Sequence, residues 1–262
     1  MKAMILAAGL GTRLRPLTDD RPKALVEVGG RTLLEITISR LRAVGVRQLI
    51  VNVHHFADMV VGYLKANNNF GMYIEVSREE VLLDTGGGLK QAAWFFLEDS
   101  GGHSGKEESF ILHNVDVIST IDLGRMVQFH GEHQALATLA VQDRETSRYL
   151  LFDERGGLCG RRVRSESAAK APLRGWTDES PVPTRASCPQ ALAFSGIHVI
   201  APRIFSMMTE EGTFSIIDSY LRLAAQEEKI LAFRTDKYYW RDLGRPENVA
   251  QAEQDLKNKV FS

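Results

Sequence analysis

The chain has 262 residues, long enough to bury a full core, and its 32 Lys and Arg against 33 Asp and Glu leave almost no net charge. That balance excludes a bulk field for holding a nucleic-acid backbone or an anionic membrane, so any phosphate must be gripped locally. Cys159 and Cys188 stand far apart with no CxxC pair, which points away from a disulfide framework or a zinc site and toward a reducing cytoplasm.

Met1 to Ala8 is apolar but too short for a signal segment, and Ala3 to Ala7 reads as a first strand that runs into a glycine loop. Leu34, Ile38 and Leu41 then recur at helical spacing up to Gly45, a C-terminal cap. Leu49 to Val53 is β-rich, Val60, Tyr63 and Leu64 mark a helix, and Tyr73, Ile74 and Val76 mark a strand. Leu89, Ala93, Phe96 and Leu97 predict one more helix, and Phe110 to Leu112 a strand after the polar loop Asp99 to Glu108. Such alternation predicts an α/β fold, a mainly parallel sheet flanked by helices.

Beyond Gln134, β-like runs at Ala137 to Val141, Tyr149 to Phe152 and Ala191 to Ile200 follow one another without helices, so this half reads as mixed or antiparallel. Arg164 to Gln190, rich in Ser, Pro, Arg and Ala with little periodicity, reads as a mobile loop. A last helix starts near Pro246 and presents Val249, Ala252 and Leu256 on one face. No stretch is long and apolar enough to cross a bilayer, and a soluble protein is expected.

The loop Ala8-Gly9-Leu-Gly11-Thr12-Arg13 follows a strand, so its main-chain N–H groups can approach a phosphate closely. It is neither a Rossmann fingerprint, since Leu14 stands where the third glycine belongs, nor a P-loop, since Gly-Lys-Ser/Thr is missing. Arg13 and Lys23 space two cations along the same stretch, the first able to bind two oxygens at once and the second a compact charge. Asp116 follows an apolar strand, where ligands collect in open α/β sheets, although a turn-forming Asp would look the same. Asp242 opens Asp-Leu-Gly-Arg-Pro and reads equally as a helix-entry cap. Three glycines after Thr85 are a costly way to begin a helix, and close backbone contact with a base or ribose explains them better. His54, His55, His130 and His133 lack a third ligand at metal spacing, and Trp240 reads as a core or sheet-edge residue.

Taken together, Gly9-x-Gly11-Thr12-Arg13, Pro22-Lys23, Leu83-Asp-Thr85-Gly86-Gly87-Gly88, Asn114-Val-Asp116, Phe194-Ser195-Gly196-Ile197 and Trp240-Arg-Asp242-Leu-Gly resemble, in that order, the motifs of the sugar-1-phosphate nucleotidyltransferase family. The Thr-Gly-Gly-Gly stretch is most like that of its small bacterial members that transfer uridylyl or guanylyl groups, with uridylyl slightly favoured. The resemblance implies a nucleotide-diphospho-sugar transferase fold: a Rossmann-like, mainly parallel mixed sheet with a smaller antiparallel sugar-side portion. It implies a single domain, 1–134 forming the nucleotide half and 135–262 the sugar half, with 164–190 as a lid. It also implies a nucleoside triphosphate and a sugar 1-phosphate as substrates.

Under that resemblance Arg13 and Lys23 are catalytic, and Ala8, Gly9, Gly11, Thr12, Thr85, Gly86, Gly87 and Asn114 bind the nucleotide. Asp116 and Asp242 hold Mg²⁺, and Ser195 and Gly196 face the sugar. Two positions depart from the family pattern. Val115 replaces a glycine, and Leu158-Cys-Gly-Arg161-Arg162 stands where larger members carry Glu-Lys-Pro, so Arg161 and Arg162 are candidates for the sugar phosphate, with a solvated face as the alternative. A glycosyltransferase consuming a nucleotide sugar, or a catalytically silent nucleotide sensor, are the competing readings. Retention of Arg13, Lys23, Asp116 and Asp242 together argues against the sensor.

Overall fold

The computed structural model describes residues 1–97, 108–164, 176–179 and 190–260. In chain order its elements are β1 (Lys2–Leu6), β2 (Glu27–Val28), β3 (Arg31–Thr32), α1 (Leu33–Ala43), β4 (Gln48–Val53), α2 (Ala57–Ala66) and β5 (Tyr73–Arg78). Next come α3 (Asp84–Gln91), α4 (Ala93–Leu97), β6 (Phe110–Asn114), β7 (Val117–Ser119), α5 (Leu123–His133), β8 (Ala137–Gln142), β9 (Arg148–Phe152) and β10 (Leu158–Arg164). The chain closes with β11 (Trp176–Glu179), β12 (Gln190–Ile200), α6 (Ile216–Ala225), β13 (Ile230–Arg234), β14 (Trp240–Asp242) and α7 (Pro246–Lys257).

Among the described residues ten strands form one sheet, in the order β11-β10-β9-β12-β6-β1-β4-β5, with β8 pairing with β12 and β13. β1 lies parallel to both β4 and β6, and β4 parallel to β5. β12 runs antiparallel to β6, β8 and β9, so it joins the parallel portion to the antiparallel one. This is the mainly parallel arrangement expected at the start of the chain and, beyond Gln134, the mixed one, since β13 runs parallel to β8 among otherwise antiparallel pairs.

The central strands are apolar on both faces because helices cover both. Along β1, Ala3 and Ile5 enter one core cluster and Met4 the other, and β4 repeats this with Leu49 and Val51 against Ile50. The period of two in side-chain direction therefore feeds two cores from one strand. Helix α1 buries Leu33, Leu34, Ile38 and Leu41 on the first core, each worth roughly 1.5–3 kcal/mol when fully buried. It starts where the Thr32 side chain accepts a hydrogen bond from Glu35 N, at 3.1 Å, and it ends just before Gly45, whose φ is +87°. Stacked Phe96, Phe110 and Phe205 build the second core.

Four details differ from the sequence reading. The periodicity from Leu89 to Leu97 belongs to two helices, since α3 ends at Gln91 and α4 begins at Ala93. Gly86, Gly87 and Gly88 lie inside α3 rather than in a loop. A strand, β11, occupies part of 164–190, and the rest of that proposed mobile loop, residues 165–175 and 180–189, lies outside the described residues. Cys159 is disulfide-bonded, which corrects the view that two cysteines so distant in sequence imply no bridge. Among the described residues no helix is long and apolar enough to cross a membrane.

Candidate active site

In the sheet order, β4 and β5 lie on one side of β1 and β6 on the other, so connections leave β1's neighbourhood in opposite directions and open a crevice at the strand ends. A cavity of about 340 Å³ sits there. Leu6, Ala7, Ala8 and Gly9 line it from the end of β1, Asn114, Val115 and Asp116 from the end of β6, and Lys23, Asp84 and Thr85 close its rim. The volume suits a small ligand.

Two buried side chains fix this cavity's shape. Asn52, on β4, accepts a hydrogen bond from Ala7 N at 2.7 Å and donates to Glu79 Oε1 at 2.7 Å. Glu79 Oε2 in turn accepts from Leu83 N at 3.0 Å. The relay ties the glycine loop to the segment carrying Thr85, and both side chains are nearly inaccessible to water. Every polar atom in such a relay must be paired, or its desolvation is uncompensated. Both residues line the cavity and neither was singled out from the sequence, although a lone Asn in the apolar run Leu49 to Val53 is a visible signal.

The three glycines of α3 have a packing explanation. A Cβ on Gly86 would run into the ring of Phe214 and one on Gly87 into Gly212 O, while one on Gly88 would lie 2.6 Å from Glu79 Oε1 and 2.8 Å from Asn52 Nδ2. Gly86 N and Gly87 N both donate to Phe214 O, at 2.9 and 3.3 Å. Thr85 lines the cavity, with its Oγ1 accepting from Ile216 N at 3.0 Å, whereas Gly86 and Gly87 face Phe214 behind it. Asp84, at φ +59°, makes the sharp entry into the helix, and its carboxylate accepts from Thr85 N at 2.6 Å.

Lys23 Nζ and the Asp116 carboxylate form an ion pair, with side chains 11% and 15% exposed. Asp116 precedes β7, which pairs antiparallel with β14 so that Val117 faces Asp242. Leu243 N donates to Asp116 O at 2.7 Å, which locks the two aspartate segments side by side. Arg40 of α1 holds this ribbon from beneath, donating to Ser119 Oγ and Ile121 O at 2.7 Å each. Burial pushes the Arg40 pKa down to about 10, and it keeps its charge at neutral pH.

A second cavity, of about 390 Å³, is lined by Arg13, Asn114, Arg144, Gly196, Trp240 and Asp242, together with Val117, Thr146, Phe194, Arg241 and Asn248. Asn114 lines both cavities. Its Oδ1 is buried and without a partner among the described residues. Gly196 adopts φ +75°, and a Cβ there would lie 2.9 Å from Asn114 Nδ2 and from Val117 Cγ2, so only glycine lets β12 approach this closely. Asp242 Oδ1 accepts from Gly244 N at 2.8 Å, and the Arg13 guanidinium and Asp242 both crowd the space over Gly244. Arg13 reaches the cavity because Gly11, at φ +66°, turns the loop while Leu14 is fully buried. Gly11 and Thr12 shape this loop without lining either cavity.

Ser195 is fully buried, its Oγ unpartnered among the described residues and its carbonyl accepting from Trp240 Nε1 at 2.8 Å. Trp240 opens β14 of the two-stranded ribbon and packs against the first core, in line with its reading as a core or sheet-edge residue, and it also lines the second cavity. Arg161 pairs with Asp218 of α6 at 2.6 Å, and neither it nor Arg162 lines either cavity. The histidines have local roles: His54 Nδ1 meets Glu79 O, His130 Nδ1 meets Thr138 Oγ1 and His133 Nδ1 meets Phe129 O, at 2.9, 3.0 and 2.9 Å.

The arrangement of paired cations and carboxylates around two adjoining cavities at a sheet switch point is that of a phosphate-handling α/β protein. Residues 2–259 match the nucleotidyl transferase family, and the chain belongs to it. It is 55% identical over 93 residues to an N-acetylmuramate alpha-1-phosphate uridylyltransferase of Caulobacter vibrioides, a stretch that covers 34% of this chain and 38% of that one. It is 29% identical over 250 residues to a mannose-1-phosphate guanyltransferase of Yarrowia lipolytica, covering 95% of this chain and 62% of the relative. The chain thus spans under two thirds of the length of these curated relatives. Among solved structures, HddC from Yersinia pseudotuberculosis complexed with GMP-PN superposes with a TM-score of 0.71 at 22% identity, covering 97% and 99% of the two chains. A UDP-glucose pyrophosphorylase complexed with UDP-glucose gives 0.73 at 17% identity, covering 98% of each. At these identities the likeness speaks for the nucleotide-diphospho-sugar transferase fold.

Proposed function

We propose that the protein condenses a nucleoside triphosphate with a sugar 1-phosphate, releasing pyrophosphate and forming a nucleoside-diphosphate sugar. The observation that carries this reading is the meeting of two cavities at Asn114, with Lys23 and Asp116 on one side and Arg13 and Asp242 on the other. One cavity takes the nucleotide, walled by Ala8, Gly9 and Thr85, and the other takes the sugar phosphate, walled by Gly196 and Trp240. Gly86 and Gly87 support the nucleotide side by holding Thr85 in place.

An oxygen of the sugar phosphate attacks the α-phosphorus, the bond from that phosphorus to the bridging oxygen breaks, and pyrophosphate leaves with the electron pair. No proton has to move, because the attacking oxygen is already anionic. The protein's task is to bring together anions that repel and to neutralise charge on the leaving group. Lys23, poised at the junction, is placed to meet phosphate oxygens once ligand draws it from Asp116. Arg13, on a loop pinned at Leu14, lines the second cavity, and its two-pronged donors suit phosphate oxygens where the two cavities adjoin.

The donor set at the junction fits a hard cation: two carboxylates on locked neighbouring segments and the orphaned Asn114 Oδ1. Asp116 and Asp242 would hold Mg²⁺, which when bound withdraws charge from the phosphate under attack. Uridylyl transfer is favoured over guanylyl by the 55% identical stretch. A cytoplasmic setting fits a nucleoside triphosphate substrate. The test is pyrophosphate release with each triphosphate against a panel of sugar 1-phosphates in Mg²⁺. Release that requires both substrates supports the reading, and a protein that consumes nucleotide sugars instead overturns it.

A further inference from the structure

The second cavity contains an excess of positive charge that the residues around it do not balance. Arg241 is spoken for, since it pairs with Asp255 at 2.9 Å. Arg13 and Arg144 then face a single carboxylate, Asp242. Arg144 forms no ion pair among the described residues, and its Nε is buried without a partner. Its guanidinium carbon lies 3.7 Å from the centre of the Trp240 ring, and one terminal nitrogen donates to Phe194 O at 2.7 Å. A flat guanidinium stacked on indole is fixed in orientation at little further entropy cost, and it keeps donors beyond the one given to Phe194 O. Burial pulls the Arg144 pKa down, which the nearby Asp242 opposes, and the group remains cationic at neutral pH.

We infer that Arg144, laid on Trp240, is the residue that binds an oxyanion of the acceptor sugar phosphate in the second cavity. The inference rests on the transferase reading above. It answers the problem left by the departure at Arg161 and Arg162: Arg161 is turned toward Asp218, so the charge that a sugar phosphate needs comes from the end of β8. Arg suits this place better than Lys because it can stack and present two parallel donors at once. The oxyanion is either the 1-phosphate itself or a carboxylate on the sugar ring's substituent, and a guanidinium recognises both through the same geometry.

The experiment compares wild type with Arg144→Gln and Arg144→Lys, after thermal melts confirm that each folds. Calorimetric titration without turnover measures affinity for N-acetylmuramate 1-phosphate and, separately, N-acetylglucosamine 1-phosphate, which lacks the carboxylate. Affinity for UTP is measured alongside. Arg144→Gln is expected to weaken sugar-phosphate binding at least tenfold, Arg144→Lys less, and neither to change UTP affinity by more than about twofold. A loss on both sugars assigns the 1-phosphate, and a loss confined to the muramate assigns the carboxylate. Unchanged sugar-phosphate affinity in Arg144→Gln, a parallel loss of UTP affinity, or wild-type protein that binds neither sugar overturns the inference. Wild-type protein that binds a sugar phosphate through Arg144 yet releases no pyrophosphate would instead overturn the proposed reaction and leave the subsite standing.

Discussion

The Lys23 ammonium and the Asp116 carboxylate meet across 93 residues of sequence and join the first loop of the chain to the end of β6. Neither is free to act alone: each neutralises the other until phosphate competes for the lysine. Lys23→Ala is therefore expected to fold and to lose turnover by roughly 10²–10³-fold, the scale of losing one preorganised charge donor. Lys23→Arg should not restore it, since a planar fork cannot occupy the place of a compact ammonium. Steady-state pyrophosphate release with circular dichroism as a folding check measures both, and near-normal turnover in Lys23→Ala would remove Lys23 from the site.

Asp116→Asn and Asp242→Asn keep side-chain size and remove charge from segments that β7 and β14 hold side by side. Each variant should fold, lose most turnover and need more Mg²⁺, and the double variant should cost little beyond either single one, as for residues acting as a unit. Chelation of divalent ions should abolish wild-type turnover. Mg²⁺ titrations of rate for all four proteins decide this, and additive losses in the double variant would separate the two carboxylates.

Substitution in α2 and α3 separates packing from intrinsic helix preference. A Cβ on Gly62 in α2 meets nothing within 4 Å, so Gly62→Ala should stabilise the fold by up to about 1 kcal/mol. Gly86→Ala drives its Cβ into Phe214, and overpacking should destabilise by about 1–3 kcal/mol. Denaturant midpoints check both signs. Equal effects would mean that α3 has more room than its contacts with Phe214 indicate.

His113, His198 and His130 are buried, and burial pushes their pKa values down to about 3, 3 and 4. Above the ordinary histidine value near 6.5 they are neutral in both folded and unfolded chains and leave stability unchanged. Below it, only the unfolded chain takes up these protons, so stability falls as pH drops from about 6.5 toward 4, by at most about 1.4 kcal/mol per pH unit for each histidine. Urea midpoints from pH 7.5 to 4.5 should decline along that course. A His130→Gln variant should show a shallower decline, and an identical one would remove His130 from the set.

The helix and strand alternation up to Phe110 could be read in the sequence because β1, β4 and β6 are largely apolar on both faces and α1 and α2 each on one, whereas β5 mixes Glu75 and Arg78 with its apolar residues. The glycine loop with Arg13 and Lys23 could be read because its residues are contiguous. Arg144, Asn52 and Glu79 could not, since what defines them is a stacking partner or a relay that only the fold assembles. Sequence spacing likewise made Arg161 look available when Asp218, 57 residues on, faces it. The glycines of α3 were read through their cost to a helix, but Phe214 and Gly212, which require Gly86 and Gly87, lie more than a hundred positions away, and Gly88 is required by the relay of Asn52 and Glu79.

Direct transfer between the two cavities is the centre of this account, and the configuration at phosphorus reports it. With one diastereomer of an α-thio nucleoside triphosphate and a sugar 1-phosphate that the enzyme accepts, a single in-line displacement yields a nucleoside-diphosphate sugar of inverted configuration at the α-phosphorus. We expect inversion, with pyrophosphate formed in equal amount. Retention would contradict the account, because it requires two displacements through a nucleotidyl group held by the protein.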